Sequence, residues 1–83
     1  MKLSIIVPVL DEAAGIAATL AALAPLRERG HEVILADGSS TDGTASIAAP
    51  LVDKVIAAPR GRARQMNAGA AAARGDALLF LHA

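Results

Sequence analysis

Asp11 and Glu12 stand side by side after an apolar run, Asp37 opens DGSSTDGT, and Arg60, Arg62 and Arg64 alternate through PRGRARQMN. A carboxylate at position 37, ahead of Gly38, is placed to accept hydrogen bonds from a ribose hydroxyl or a base N–H. It also suits an Asx turn before that glycine. Three guanidinium groups around a helix start fit a phosphate, because free N–H groups and the macrodipole already make that end positive. Gly61 would let the backbone come close; the alternative is three solvated arginines on an exposed turn. Asn67 falls about one turn inside, on the face of Ala63 and Ala70, where its amide is expected to be buried. A buried amide needs partners, either the first loop or a ligand. His82 ends the last apolar run with no second His or Cys at ligand spacing, and reads more readily as a structural residue than as a metal ligand. Ser39, Ser40 and Thr41 lack the G-x-S-x-G surroundings of a nucleophile.

The elements that must position these residues are four apolar runs of strand length: LSIIVPV (3–9), EVILAD (32–37), DKVIAA (53–58) and ALLFLH (77–82). The first and last are continuous, which predicts strands covered on both faces. Between the first two, Ala13 to Ala24 puts Ile16, Leu20 and Leu23 on one helical face; Pro25 should end or kink this helix and Gly30 cap the segment. Ser40 or Thr41 is the expected N-cap of a short helix that stops near Pro50. A third helix, rich in alanine, is expected from Arg62 to Arg74 with Gly75 after it.

The resulting order, β-α-β-α-β-α-β, predicts an α/β fold with a parallel, Rossmann-like sheet and right-handed crossovers, residues 1–83 forming part of a single domain. With strands in the order 3-2-1-4, the sheet changes its direction of growth between strands 1 and 4. Ligands bind beyond the carboxyl ends of the strands at such a point. Every polar cluster named above follows a strand and so reaches that edge.

Composition narrows the function classes. The chain has 83 residues, no cysteine, a single aromatic residue, and eight basic against eight acidic residues. Charge balance gives no footprint for nucleic acid, so no nucleic-acid partner is expected. Lack of cysteine excludes a disulfide scaffold and a thiolate metal site and is compatible with a reducing compartment; a cytoplasmic location is expected. The apolar run from Leu3 to Leu10 is too short to span a membrane and is followed at once by two acids. Membrane association is therefore expected only through parts outside the chain. A chain of this size buries roughly 60% of its unfolded surface, so a layered α/β unit would be marginal alone.

Three alternative functions meet specific objections in the sequence. A dinucleotide-binding oxidoreductase needs G-x-G-x-x-G after strand 1, where this chain has PVLDEAAG. A nucleotidyltransferase would want a glycine-rich G-x-S-x-R-M-type loop at the same place. A non-catalytic nucleotide-binding or interaction module, complete at this length, would expose the apolar run LLFLHA as a flat edge. That run meets the end of the chain, so the sequence reads as the front half of an enzyme.

Taken together, SIIVPVLDE, VILADGSSTDGT and GRARQMNAGAAAARGDALLFLHA resemble the N-terminal half of family 2 glycosyltransferases of the GT-A fold, in the bacterial subgroup whose fourth strand reads FLHAD. The resemblance covers almost the whole chain. It implies transfer of a sugar from a nucleoside-diphosphate sugar to an acceptor that the sequence does not identify. It also implies that Pro8, Val9, Leu10, Glu12 and Asp37 hold the nucleoside and that Gly61, Arg62 and Asn67 close over the nucleotide. In the family an Asp-x-Asp motif chelates a divalent cation, Mg²⁺ or Mn²⁺, on the donor diphosphate; this cofactor is expected in the full-length enzyme. His82 stands at the first Asp of that motif and Ala83 at its middle. Asp11 stands where the family commonly has Asn, and Ala36 where a second Asp often precedes Asp37. The family's catalytic base belongs to the later half, so no catalytic residue is assigned here.

Overall fold

A computed structural model describes residues 1–82, and Ala83 lies outside the described residues. Strands β1 (Leu3–Val9) and β2 (Glu32–Asp37) have the bounds read from the sequence, while β3 (Lys54–Ala57) and β4 (Ala77–Phe80) are shorter than their apolar runs. All pairs are parallel and the spatial order is β3-β2-β1-β4, so the expected α/β, Rossmann-like topology and its switch between β1 and β4 are present. Val9 lies opposite Asp37 in the β1–β2 register, which brings the two loops that follow to the same edge.

The first helical segment divides. Helix α1 covers Ile16–Ala21 and α2 covers Ala24–Glu28, with Pro25 in the first turn of α2. A proline is accommodated there because that N–H has no intrahelical partner anyway. Helix α3 (Thr44–Ala48) runs into a 3₁₀ turn at Ala49–Leu51 that contains Pro50. Its N-cap is Gly43 with no side-chain cap, which corrects the expected capping role of Ser40 or Thr41. Helix α4 spans Arg62–Ala72 and follows Gly61.

Alternation along β1 sends its side chains to two layers. Ile5, Val7 and Val9 join Val33 and Leu35 under Ile16, Leu20, Leu23, Ala48 and Val52, forming the larger core beneath α1 and α3. Ile6, Ile34 and Ala36 form the smaller core, against Ala72 and Ala73 on the side of α4. This second layer is thin because the later half of α4, from Ala68 to Ala72, holds only alanine and glycine. A Cβ on Gly69 would lie 2.5 Å from Ile6 Cγ2, so the helix backbone itself rests on the strand.

Coverage on both faces holds for β1 and β2 but not for β4. Leu78, Leu79 and Phe80 are 45%, 46% and 36% exposed. The physical reason is the strand order: β4 is an edge, and α4 packs over β1, β2 and β3 instead.

The amino ends of the strands are held by one buried carboxylate. Glu32 accepts hydrogen bonds from Ser4 Oγ and the Arg74 backbone N–H, and pairs with Lys54 Nζ at 3.5 Å. Ser4 Oγ in turn accepts from Gly75 N–H at 2.7 Å, fixing the turn that leads into β4. Burial alone would raise the Glu32 pKa, but the Ser4 and Arg74 hydrogen bonds and the charges of Lys54 and Lys2 more than offset it and hold the carboxyl below its ordinary value. A lowered pKa stabilises the fold above the ordinary carboxylate value and ceases to do so as pH falls through the lowered one. Melting temperature should therefore drop more steeply in acid for the parent than for Glu32→Gln, whose amide has no such titration. Parallel melting curves from neutral pH downward check this; identical slopes would remove Glu32 from the acid response.

Candidate functional site

Two loops meet at the carboxyl edge of the sheet, one after β1 and one after β2, and their polar groups are spent largely on each other. Asp11 N–H donates to Ser40 Oγ at 2.9 Å, and the Asp11 carboxylate accepts from Thr41 N–H at 2.8 Å. Glu12 N–H donates to Thr44 Oγ1 at 2.9 Å and Ala13 N–H to Asp42 Oδ2 at 3.0 Å. The Thr44 hydroxyl donates to Asp42 Oδ1. That hydroxyl, followed by the Ala13 amide, holds the Asp42 carboxyl below its ordinary pKa. Asp11 and Ser39 adopt positive φ, 52° and 73°, a left-handed conformation that non-glycine residues hold only where surrounding contacts fix it.

Asp37 is 8% exposed, and its carboxylate accepts both the backbone N–H and the hydroxyl of Ser40. The turn-forming role read from the sequence is thus present. A carboxylate has about four acceptor positions, so two bonds to Ser40 do not exhaust it. Ser40 passes the restraint on to Asp11, so Asp37 anchors both loops.

Between β1 and the start of α4 lies a pocket of about 180 Å³ lined by Pro8, Val9, Leu10, Glu12, Arg62, Gln65 and His82. The sequence-derived residues Pro8, Val9, Leu10, Glu12 and Arg62 thus converge, whereas Asp37, Gly61 and Asn67 are not among the lining groups. Gly61 is the N-cap of α4, and Asp37 sits one strand over, on β2. Arg60, Arg62 and Arg64 are all exposed, and none takes part in an ion pair among the described residues.

Asn67 is exposed, which corrects the expected buried amide. The buried amide is Gln65, 5% exposed, whose Nε2 donates to Val9 O at 2.8 Å and Ala36 O at 3.0 Å. At 3.6 residues per turn, Arg62, Gln65 and Gly69 share the face of α4 that meets the sheet, and position 67 falls on the opposite side. A signal for Gln65 existed in its spacing of four from Gly69, the point of closest helix approach. Gly38 makes room for it: a Cβ there would lie 2.7 Å from Gln65 Cδ.

His82 and Glu12 both line the pocket. Among the described residues no three His, Cys, Asp or Glu side chains form a group able to hold a metal ion. A hard divalent cation takes about six oxygen ligands, so this donor set does not fit one by itself. No helix of the described residues is long and apolar enough to cross a membrane.

Thr44 is wholly buried and carries two of the loop contacts. Thr44→Val preserves its shape but leaves Glu12 N–H unpartnered, and should cost about 1–3 kcal/mol. Amide hydrogen exchange at Glu12 and Ala13 should accelerate well beyond that of β1. Unchanged exchange at those two amides would show that the loop does not depend on Thr44.

Known proteins carry related features. A sequence profile of Glycosyl transferase family 2 matches residues 4–83. No curated protein matches the chain. Among solved structures, glucosyl-3-phosphoglycerate synthase from Mycobacterium tuberculosis, in complex with Mn²⁺, UDP and glucosyl-3-phosphoglycerate, superposes with a TM-score of 0.87 at 25% identity, covering 98% of this chain and 33% of that one. Another structure of that enzyme, with Mn²⁺, UDP-glucose and phosphoglyceric acid, gives the same TM-score and identity over 32% of its length. Mannosyl-3-phosphoglycerate synthase from Rubrobacter xylanophilus shares the fold, with a TM-score of 0.86 at 24% identity over 100% of this chain and 30% of that one. The chain spans about a third of the length of these structures.

Proposed function

This chain belongs to glycosyl transferase family 2, and we propose that it forms the nucleotide-sugar-binding part of an enzyme that moves a sugar from a nucleoside-diphosphate donor to an acceptor. The observation that carries this reading is the pocket at the switch point, where the loop after β1 faces Arg62 at the start of α4. Pro8, Val9 and Leu10 supply an apolar wall for a nucleoside, and Glu12 and Asp37 accept hydrogen bonds from its ribose or base. Gly61 and Arg62 face the diphosphate, where free helix N–H groups and an unpaired guanidinium act together. Asn67 has no part in this assignment, because it lies on the far side of α4.

UDP and Mn²⁺ in the mycobacterial structure support a nucleoside diphosphate and a divalent cation for the family. A cation on the diphosphate would offset the charge of the leaving group. Because the described residues do not form its site, Mg²⁺ or Mn²⁺ belongs to the proposal only for a longer protein that supplies further ligands. The acceptor also belongs to that longer protein. A cytoplasmic location is part of the proposal and accords with the lack of cysteine.

Two substitutions in the full-length protein test the roles. Arg62→Ala should weaken a nucleoside diphosphate by roughly ten- to a hundredfold, the worth of one charge-assisted hydrogen bond, and leave the free nucleoside nearly unaffected. Equal losses for both ligands, or none for either, would return Arg62 to a solvated turn. Asp37→Asn keeps the turn shape but loses charge and acceptor capacity; it should weaken nucleoside and nucleoside diphosphate alike, with a modest drop in melting temperature from the one Ser40 bond an amide cannot accept. Isothermal titration beside a melting curve reads both; undiminished nucleotide affinity would leave Asp37 with its Ser40 contacts alone.

A further inference from the structure

Gln65 is a buried amide with partners on three separate segments. Its Nε2 protons go to Val9 O and Ala36 O, at 2.8 and 3.0 Å, and its Oε1 accepts Gly61 N–H at 3.2 Å. Val9 is the last residue of β1 and leads into the loop that lines the pocket. Ala36 precedes Asp37 at the end of β2, and Gly61 caps the helix whose first residue is Arg62. Both amide protons are used, and the side chain also lines the pocket. Core filling alone would need only an apolar side chain of that length; an amide bonded to three segments fixes their relative positions.

We propose that Gln65 is a positioning residue that sets the separation between the nucleoside-facing loop after β1 and the phosphate-facing start of α4. This role rests on the nucleotide-sugar reading above. A nucleoside diphosphate engages both places at once, and joining two weakly held parts raises affinity only when the spacing of the subsites matches the ligand. Gln65 thus acts on the joined ligand and not on either part.

The test uses the full-length protein and whichever of UDP, GDP, ADP and dTDP binds it most tightly, together with the matching nucleoside. Gln65→Met keeps the length and removes all three hydrogen bonds. Gly38→Ala keeps Gln65 but places a Cβ 2.7 Å from its Cδ and Oε1, which displaces the amide from outside. Gly38 has no positive φ, so alanine brings no left-handed backbone strain and its effect falls on the Gln65 side chain. Both variants should lower diphosphate affinity roughly tenfold or more while the nucleoside stays within about twofold. A purely structural role would lower the melting temperature and leave that ratio unchanged. Equal losses for the two ligands, or no loss in a folded variant, would overturn the role. Should Gln65→Met fail to fold, the Gly38→Ala ratio decides alone; unfolding of both assigns Gln65 to the core and overturns the proposal. A parent that binds none of the diphosphates overturns the nucleotide-sugar reading and this role with it.

Discussion

The contact of α4 with β1 at Gly69 sets the geometry of the carboxyl edge. With no side chain at position 69, the helix rests directly on Ile6, and neighbouring alanines keep the layer thin. Counting back along the same face, Gln65 lies one turn earlier and Arg62 about two, roughly 10 Å along the axis at 1.5 Å per residue. That distance carries the helix from the middle of the sheet to the pocket. A bulkier residue at 69 would lift the helix off the strand, and with it the amide that bonds Val9 and Ala36.

Much of this was legible in the residues. Leu3–Val9 and Glu32–Asp37 are apolar enough, and bounded sharply enough by charge, for their ends to be read directly; four such runs alternating with helical segments already imply the sheet and its switch point. The gathering of Pro8, Leu10, Glu12 and Arg62 follows from that topology alone. The amide at Asn67, expected to be buried, is exposed; α4 has no apolar stripe to mark which face packs. When the apolar positions are nearly all alanine, either face can pack, and only the glycine that touches the sheet reveals which does. Ser40 and Thr41 misled for a different reason. Their local tendency to cap a helix is real, but the Ser40 hydroxyl is engaged by Asp37 and by the Asp11 N–H, and α3 begins only at Thr44, after Gly43.

The two ends of the sheet treat charge differently. At the amino end, Glu32 is enclosed and its oxygens are taken up by Ser4, Arg74 and Lys54, which binds the turn before β4 to β1 and β2. At the carboxyl end, the arginines around α4 remain exposed and in no ion pair among the described residues. One end is internally satisfied and holds the strands together; the other keeps cationic capacity for an outside partner. Strand β4 connects them, since the turn fixed by Ser4 and Glu32 starts the strand that delivers His82 to the pocket.

The acids at the carboxyl edge raise an objection to any diphosphate site, since Asp11, Glu12, Asp37 and Asp42 would repel the ligand if all faced it. Their hydrogen bonds answer it. Asp11 accepts Thr41 N–H, Asp42 accepts from Thr44 and Ala13, and Asp37 holds Ser40. Each of these three carboxylates is engaged by donors within the loops and lies outside the pocket lining, so its charge is held in the loop framework and not at the pocket wall. Of the four acids, only Glu12 lines the pocket, and Arg62 stands in the same lining. The acids that seem to forbid an anionic ligand therefore shape the loops around it, and the charge left facing the pocket is close to balanced before the exposed arginines at positions 60 and 64 are counted.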